Sequence, residues 1–263
     1  MTLSIYQVDA FTDRIFGGNP ACVVPLKKWL PDETLLAIAK ENAVAETAFF
    51  IQHDKHVDLR WFTPEIEMDL CGHATLASAH VLFQHLQYPA TNIAFHTQSG
   101  VLTVTKEGDY LSLDFPSRAP QVSTLPSEIA EGLNIQPQEV HKARDYVLVY
   151  KSEEEIRNLQ PDRSKIDRVN LDPGGIIVTA QGDTVDFVSR FFTPQASVFE
   201  DPVTGSAHCS LIPFWAKRLG KTALEALQLS DRIGKLTCTD AGDRVYIKGQ
   251  ARTYLVGQIQ VEA

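Results

Sequence analysis

The chain has 263 residues, 44% of them hydrophobic and 22% charged. That is a globular composition with enough length for two packed halves. A net charge of -9, with no basic stripe, argues against nucleic acid or an anionic membrane as the main partner and leaves a small molecule as the expected ligand. No apolar run approaches membrane-spanning length, and "MTLSIYQVDAFTD" lacks a basic region followed by an apolar stretch. A cytoplasmic protein is therefore expected. Cys22, Cys71, Cys209 and Cys238 show no C-x-x-C spacing and are expected to be free thiols.

Along the chain, "SIYQVDAF", "TAFFIQ", "VDLRWF", "NIAFHT", "VLTVT" and "YLSLDF" read as strands, several alternating with period two. Two helices interrupt them: "DETLLAIAKENA" after Pro31, and "HATLASAHVLFQHL" from His73. The "FGGNP" run reads as a turn from which Asn19 reaches the site. Around "PSRAPQVSTLPSE" the pattern breaks into proline and serine, which suits a linker. Strands resume at "DYVLVY", "GGIIVTA", "TVDFVSRFF", "RVYIKG" and "ARTYLVGQIQV", with a helix from about Ser206 to Arg218.

The chain repeats itself. Arg60, Phe62, Thr63 and Pro64 recur as Arg190, Phe192, Thr193 and Pro194 at an offset of 130 (190 minus 60), whereas Gly72 and Ala74 recur as Gly205 and Ala207 at 133 (205 minus 72). Each copy runs strand, F-T-P turn, acidic loop, then a Gly-polar-Ala step opening a helix. A duplicated α+β domain is expected, with two helix starts facing one cleft. Free amides at a helix start sit at the positive end of its dipole and suit an anion, so Gly72-His73 and Gly205-Ser206 are candidate carboxylate grips. His73 at such a position is expected to be neutral, its pKa lowered by the dipole. Taken singly, Asp201 reads as a turn residue and Ser206 as an N-cap; taken with the repeat, both become site candidates.

The segments "DAFTDRIFGGNPACVV", "AETAFF", "LRWFTPEIEMDLCGHATLASA", "FFTPQASVFEDPVTGSAH" and "RIGKLTC…GDRVYIKGQA" together resemble the PhzF family of phenazine-biosynthesis-like proteins. The resemblance implies an α+β, diaminopimelate epimerase-like fold of two pseudo-symmetric domains. Each would wrap a mostly antiparallel barrel-like sheet around a central helix, with the active site between them. The halves are expected at residues 1–118 and 119–263, the C-terminal strand over 251–263 returning to the first. The resemblance also implies a cofactor-independent isomerase or epimerase that moves a carbon-bound proton on a small carboxylate-bearing metabolite, and a possible homodimer. Carried over residue by residue, it makes Glu46 the acid/base, with His73, Asp201 and Ser206 completing the candidate catalytic set. Asn19, Cys71, Gly72, Thr204 and Gly205 form the candidate substrate-binding set. Ala45 stands where the family often has serine before the glutamate.

Two alternatives stay open. Related racemases use a thiol at each helix start; here Cys71 precedes Gly72, but Thr204 precedes Gly205, and Cys209 reads as a buried helix residue. The other alternative is a non-catalytic small-ligand-binding protein that kept the site. No metal motif is evident, His80 and His85 reading as helix-surface or partly buried residues. Arg60 and Arg190 are expected to bind neighbouring acids or backbone rather than substrate.

Overall fold

The structure is a computed structural model that describes residues 1–171 and 174–262. Residue 263, the last of the strand expected over 251–263, lies outside the described residues. In chain order the elements are β1 (Thr2–Ala10), β2 (Asn19–Leu26), α1 (Asp32–Asn42), β3 (Glu46–Gln52), β4 (Val57–Phe62), β5 (Glu67–Met68), α2 (Gly72–Gln84), β6 (Asn92–Thr97), β7 (Gly100–Glu107) and β8 (Tyr110–Pro116). There follow β9 (Gln121–Val122), α3 (Ser127–Gly132), β10 (Glu139–Lys142), β11 (Tyr146–Val149), α4 (Glu153–Asn158), α5 (Arg163–Ile166), β12 (Ile176–Gln181) and β13 (Phe187–Phe192). The chain ends with α6 (Gly205–Leu219), β14 (Ala223–Gln228), β15 (Gly234–Asp240), β16 (Arg244–Gly249) and β17 (Ala251–Gln260). Contacts divide it into two compact units, Met1–Asp114 with Lys248–Ala263, and Phe115–Ile247.

In the first unit β17 pairs β1, and the sheet continues through β2, β3, β4, β6, β7 and β8. The β2–β3 and β4–β6 pairs are parallel; the rest are antiparallel. Alternate residues of the central strands face two different helices. Cys22, Val24, Phe49 and Ile51 pack with Leu35, Ile38 and Ala39 of α1 in one apolar cluster. On α2 every residue from Gly72 to Ala79 is buried, so the helix has no polar face and sits against β1, β2, β3 and β17. Burial of β2 from both sides erases the period-two pattern. Its two prolines lie where only one neighbouring strand is paired: Pro20 before the β3 ladder begins, Pro25 after the β1 ladder ends. A reading of this stretch as a turn therefore gives way to a strand beginning at Asn19.

The second unit repeats the sequence of pairings. β10–β11, β12–β13 and β14–β15 are antiparallel, and β11–β12 and β13–β14 parallel. Ile176, Val178 and Ala180 face a cluster built from α3, α4 and α5. The other face meets α6, where Trp215 donates its indole N–H to Thr179 Oγ1 at 2.9 Å and stacks parallel to Phe187. Inside α6, Pro213 has no N–H to give the Cys209 carbonyl four residues back. The Arg118 amide takes that carbonyl instead, at 2.8 Å. The Pro/Ser stretch read as a linker is thus tied to this unit, by that bond and by Ser117 N–H to the Asp243 carbonyl at 2.9 Å. Among the described residues no helix is long and apolar enough to cross a membrane.

Candidate active site

Three of the named residues of the first unit, Asn19, Glu46 and Cys71, converge on the imidazole of a fourth, His73. Parallel pairing sets Ala21 of β2 beside Glu46, the first residue of β3, and Asn19 opens β2 one turn of the pleat away. His73 lies in the first turn of α2, 3% exposed. Its Nδ1 is 3.1 Å from Asn19 Nδ2, and its Nε2 is 3.2 Å from Glu46 Oε2. An amide nitrogen only donates, so Nδ1 accepts and the ring proton is on Nε2, which lies near the Glu46 carboxylate without completing a hydrogen bond to it. Burial pushes the imidazole pKa down to about 3. His73 is neutral at pH 7, as expected, but the cause is desolvation rather than the helix dipole. Glu46 is at the rim, with 15% of its side chain exposed.

Cys71 adds a thiol, its Sγ 3.6 Å from His73 Nδ1. It occupies the N-cap of α2 in extended conformation and makes no side-chain cap. Its carbonyl accepts from both the amide (3.2 Å) and the hydroxyl (2.5 Å) of Thr75. With no capping side chain present, the first amides of α2 are offered to an incoming anion. Glu46, Cys71 and His73 also present donor atoms within 4.8 Å of one another, a nitrogen, sulfur and oxygen set of the kind zinc accepts.

The second unit gathers Asp201, Thr204, Gly205 and Ser206 at the start of α6. The N-cap is Thr204, not Ser206. Ser206 is half-buried in the first turn. Thr204 donates its hydroxyl to Asp201 Oδ2 at 2.5 Å. Gln228, at the end of β14, clamps the loop: its Oε1 accepts the Thr204 amide at 2.8 Å and its Nε2 donates to the Asp201 carbonyl at 2.7 Å. Ser230 holds the Pro202 carbonyl at 2.8 Å. Neither Gln228 nor Ser230 was singled out from the sequence. The only signal was a polar pair closing the otherwise apolar run "ALEALQLS". His208 donates from Nδ1 to the Thr204 carbonyl at 2.8 Å, repeating what Thr75 does at Cys71.

Both units brace these starts with one device. Arg60 forks onto Glu67 at 2.7 and 2.6 Å, and Arg190 onto Glu200 at 2.7 and 2.9 Å. Each guanidinium also lies over the phenylalanine two residues on, Phe62 or Phe192. Both arginines are thus structural, as expected. The amide of Thr63 reaches the Ile66 carbonyl and that of Thr193 reaches Phe199, so the three-residue slip between 130 and 133 is an insertion within the loop at Pro194–Val198.

One position is not repeated. Thr47 pairs with Phe62 and Ile176 with Phe192, so the register equivalent of Glu46 is Gly175. A side chain there would meet the Phe191 ring, 2.3 Å from an added Cβ. The thiols differ too: Cys209 is fully buried on α6, and burial pushes it, like Cys22, up to about 12.

Comparison with known proteins agrees across the whole length. The phenazine biosynthesis-like protein family matches residues 8–257. An uncharacterized isomerase of Pseudomonas aeruginosa is 49% identical over 261 residues, spanning 99% of this chain and 100% of its own. The crystal structure of a PhzF-family phenazine biosynthesis protein from Enterococcus faecalis superposes with a TM-score of 0.94 at 46% identity, over 99% of this chain and 100% of that one. A predicted epimerase from Pseudomonas aeruginosa, 18% identical with a TM-score of 0.74 over 99% of this chain and all of its own, shares the fold. The fold is α+β and diaminopimelate epimerase-like.

Proposed function

The chain belongs to the phenazine biosynthesis-like protein family and is an isomerase, and we propose that it moves a carbon-bound proton on a small carboxylate-bearing substrate, with Glu46 as the acid/base. The Glu46 carboxylate takes the proton and becomes a carboxylic acid. The electron pair left on carbon delocalises toward the substrate's acyl oxygens, where the amides of Gly72 and His73 stabilise the charge. Glu46 then returns the proton, so substrate and product share one formula and no cofactor is consumed. His73 packs its Nε2 edge 3.2 Å from the carboxylate, and Asn19 fixes the ring's tautomer from behind.

The observation that carries this reading is the Asn19–His73–Glu46 cluster, a neutral imidazole held at Nδ1 by Asn19 with its Nε2 3.2 Å from the Glu46 carboxylate. Within the second unit Gly175 stands at the register position that Glu46 holds in the first, so the proposed acid/base belongs to the first unit alone. In the second unit Asp201, Thr204, Gly205 and Ser206 are proposed as site residues. Glu46→Gln tests the base: turnover should fall ~10³-fold while substrate affinity stays within a few fold. Equal loss of both would remove Glu46 from that role.

A thiol mechanism is the second reading, supported by Cys71 lying 3.6 Å from His73. Full activity in Cys71→Ser would end it.

A further inference from the structure

At the far end of β3 from Glu46, a second cluster of metal-ligating side chains has no part in the reaction above. The turn His53-Asp54-Lys55-His56 joins β3 to β4 and is closed by the His53 amide on the His56 carbonyl at 2.9 Å. Asp58 follows on β4. His53 Nε2 is 3.0 Å from Asp58 Oδ2, and His56 Nε2 is 3.2 Å from Asp58 Oδ1. The His53 and His56 rings stack at 4.6 Å, and His56 stacks in turn on His96 at 4.1 Å. His96 is the register partner of Asp58 on β6, so the column stands on paired strands rather than on the turn alone.

We propose that His53, His56 and Asp58 form a divalent transition-metal site for Zn2+. The three donor atoms lie within 4.8 Å of one another. Around a tetrahedral zinc with bonds near 2.0–2.1 Å, neighbouring donors sit about 3.3 Å apart. His53 Nε2 and His56 Nε2 lie 3.0 and 3.2 Å from different oxygens of Asp58, so a modest turn of the carboxylate would bring one oxygen within this spacing of both. His53 aims Nε2 at the carboxylate and His56 Nε2 lies 3.2 Å from it, so binding requires each ring to carry its proton on Nδ1, freeing the Nε2 lone pair, with a small turn of His56. Side-chain exposures of 42%, 32% and 32% leave an approach from solvent and a fourth position for water. Two imidazoles and a carboxylate without thiolate suit zinc and exclude calcium or magnesium, which take oxygen sets. His96, beneath His56, holds the column in place. Bound metal would tie the turn to β4, clamping the hairpin whose other end carries Glu46.

The test is calorimetric titration of Zn2+ into the full chain without an affinity tag, after chelator treatment, alongside His56→Ala, Asp58→Asn and Cys71→Ser. One saturable zinc per chain is expected, weakened more than ~10-fold in the first two variants and unchanged in Cys71→Ser, which controls for the Glu46, Cys71 and His73 donors. Histidine nitrogen shifts in NMR should move at His53 and His56 Nε2, a readout independent of variant folding. Absence of saturable binding in the wild type would overturn the proposal. So would wild-type affinity in His56→Ala and Asp58→Asn.

Discussion

The start of α2 and the start of α6 are built by one plan and equipped for different work. Each follows a strand with an arginine forked onto a glutamate, an F-T-P turn, and an N-cap residue whose carbonyl is bonded by the side chain four places on. On this common frame the first unit carries Glu46, Cys71 and His73 where the second carries Gly175, Thr204 and Ser206. Duplication preserved what holds a helix start in place. The groups that differ, Glu46, Cys71 and His73 against Gly175, Thr204 and Ser206, lie outside the arginine–glutamate brace.

Removing the braces should show how alike the frames are. Arg190→Ala is expected to cost about 3 kcal/mol, because it strands a partly buried Glu200 and releases the carbonyls of Ile156 and Leu159 at the end of α4. Arg60→Ala should cost less, about 2 kcal/mol, since its third contact is the exposed Asp32. Urea unfolding of the two variants checks the order.

Chemistry should break the symmetry in the opposite direction. His73→Leu is expected to lower kcat ~100-fold with KM little changed, by removing the polar ring edge that lies 3.2 Å from the Glu46 carboxylate. His73→Gln, whose amide can donate, should recover part of the loss. Steady-state kinetics across pH should also show no step from His73 above pH 5, given a pKa near 3.

His208 sharpens the comparison through pH. Its pKa is pushed down by burial to about 4 from 6.5, so the unfolded chain binds its proton first. The stability contributed by the neutral ring is complete above pH 6.5 and is lost as pH falls from 6.5 toward 4. His208→Thr, which installs the residue found at Thr75, should be less stable than wild type at pH 7. The gap should narrow by about 2 kcal/mol at pH 5. The smallest effect is expected at Gly175→Ala, about 1 kcal/mol, as the Phe191 ring shifts to admit a methyl group. Thermal melts would register it.

The starts of α1, α2 and α6 and most of the longer strands were legible because their signals are local, whereas the short helices α3, α4 and α5 were not read. Proline before Asp32, glycine at 72 and 205, and alternation in "VDLRWF" each announce an element within a few residues. β2, β14 and β15 were not legible. In β2, Ala21 to Val24 are all buried, so alternation vanishes and two prolines argue for a turn. The cluster of Asn19, Glu46 and His73 joins three separate elements. Its residues were named from the sequence, Glu46 only through resemblance, but their contact depends on the parallel β2–β3 register. That Gly175 answers Glu46 is likewise a fact of register, invisible in a sequence offset that slips by three.

The most direct measurement is proton NMR in D2O of wild type, Glu46→Gln and Cys71→Ser, with a panel of small amino acids, cyclic unsaturated acids and hydroxy acids. The account predicts isomer formation by wild type and Cys71→Ser that disappears in Glu46→Gln. Isomer formation that persists in Glu46→Gln, or that depends on Cys71 instead, would contradict it.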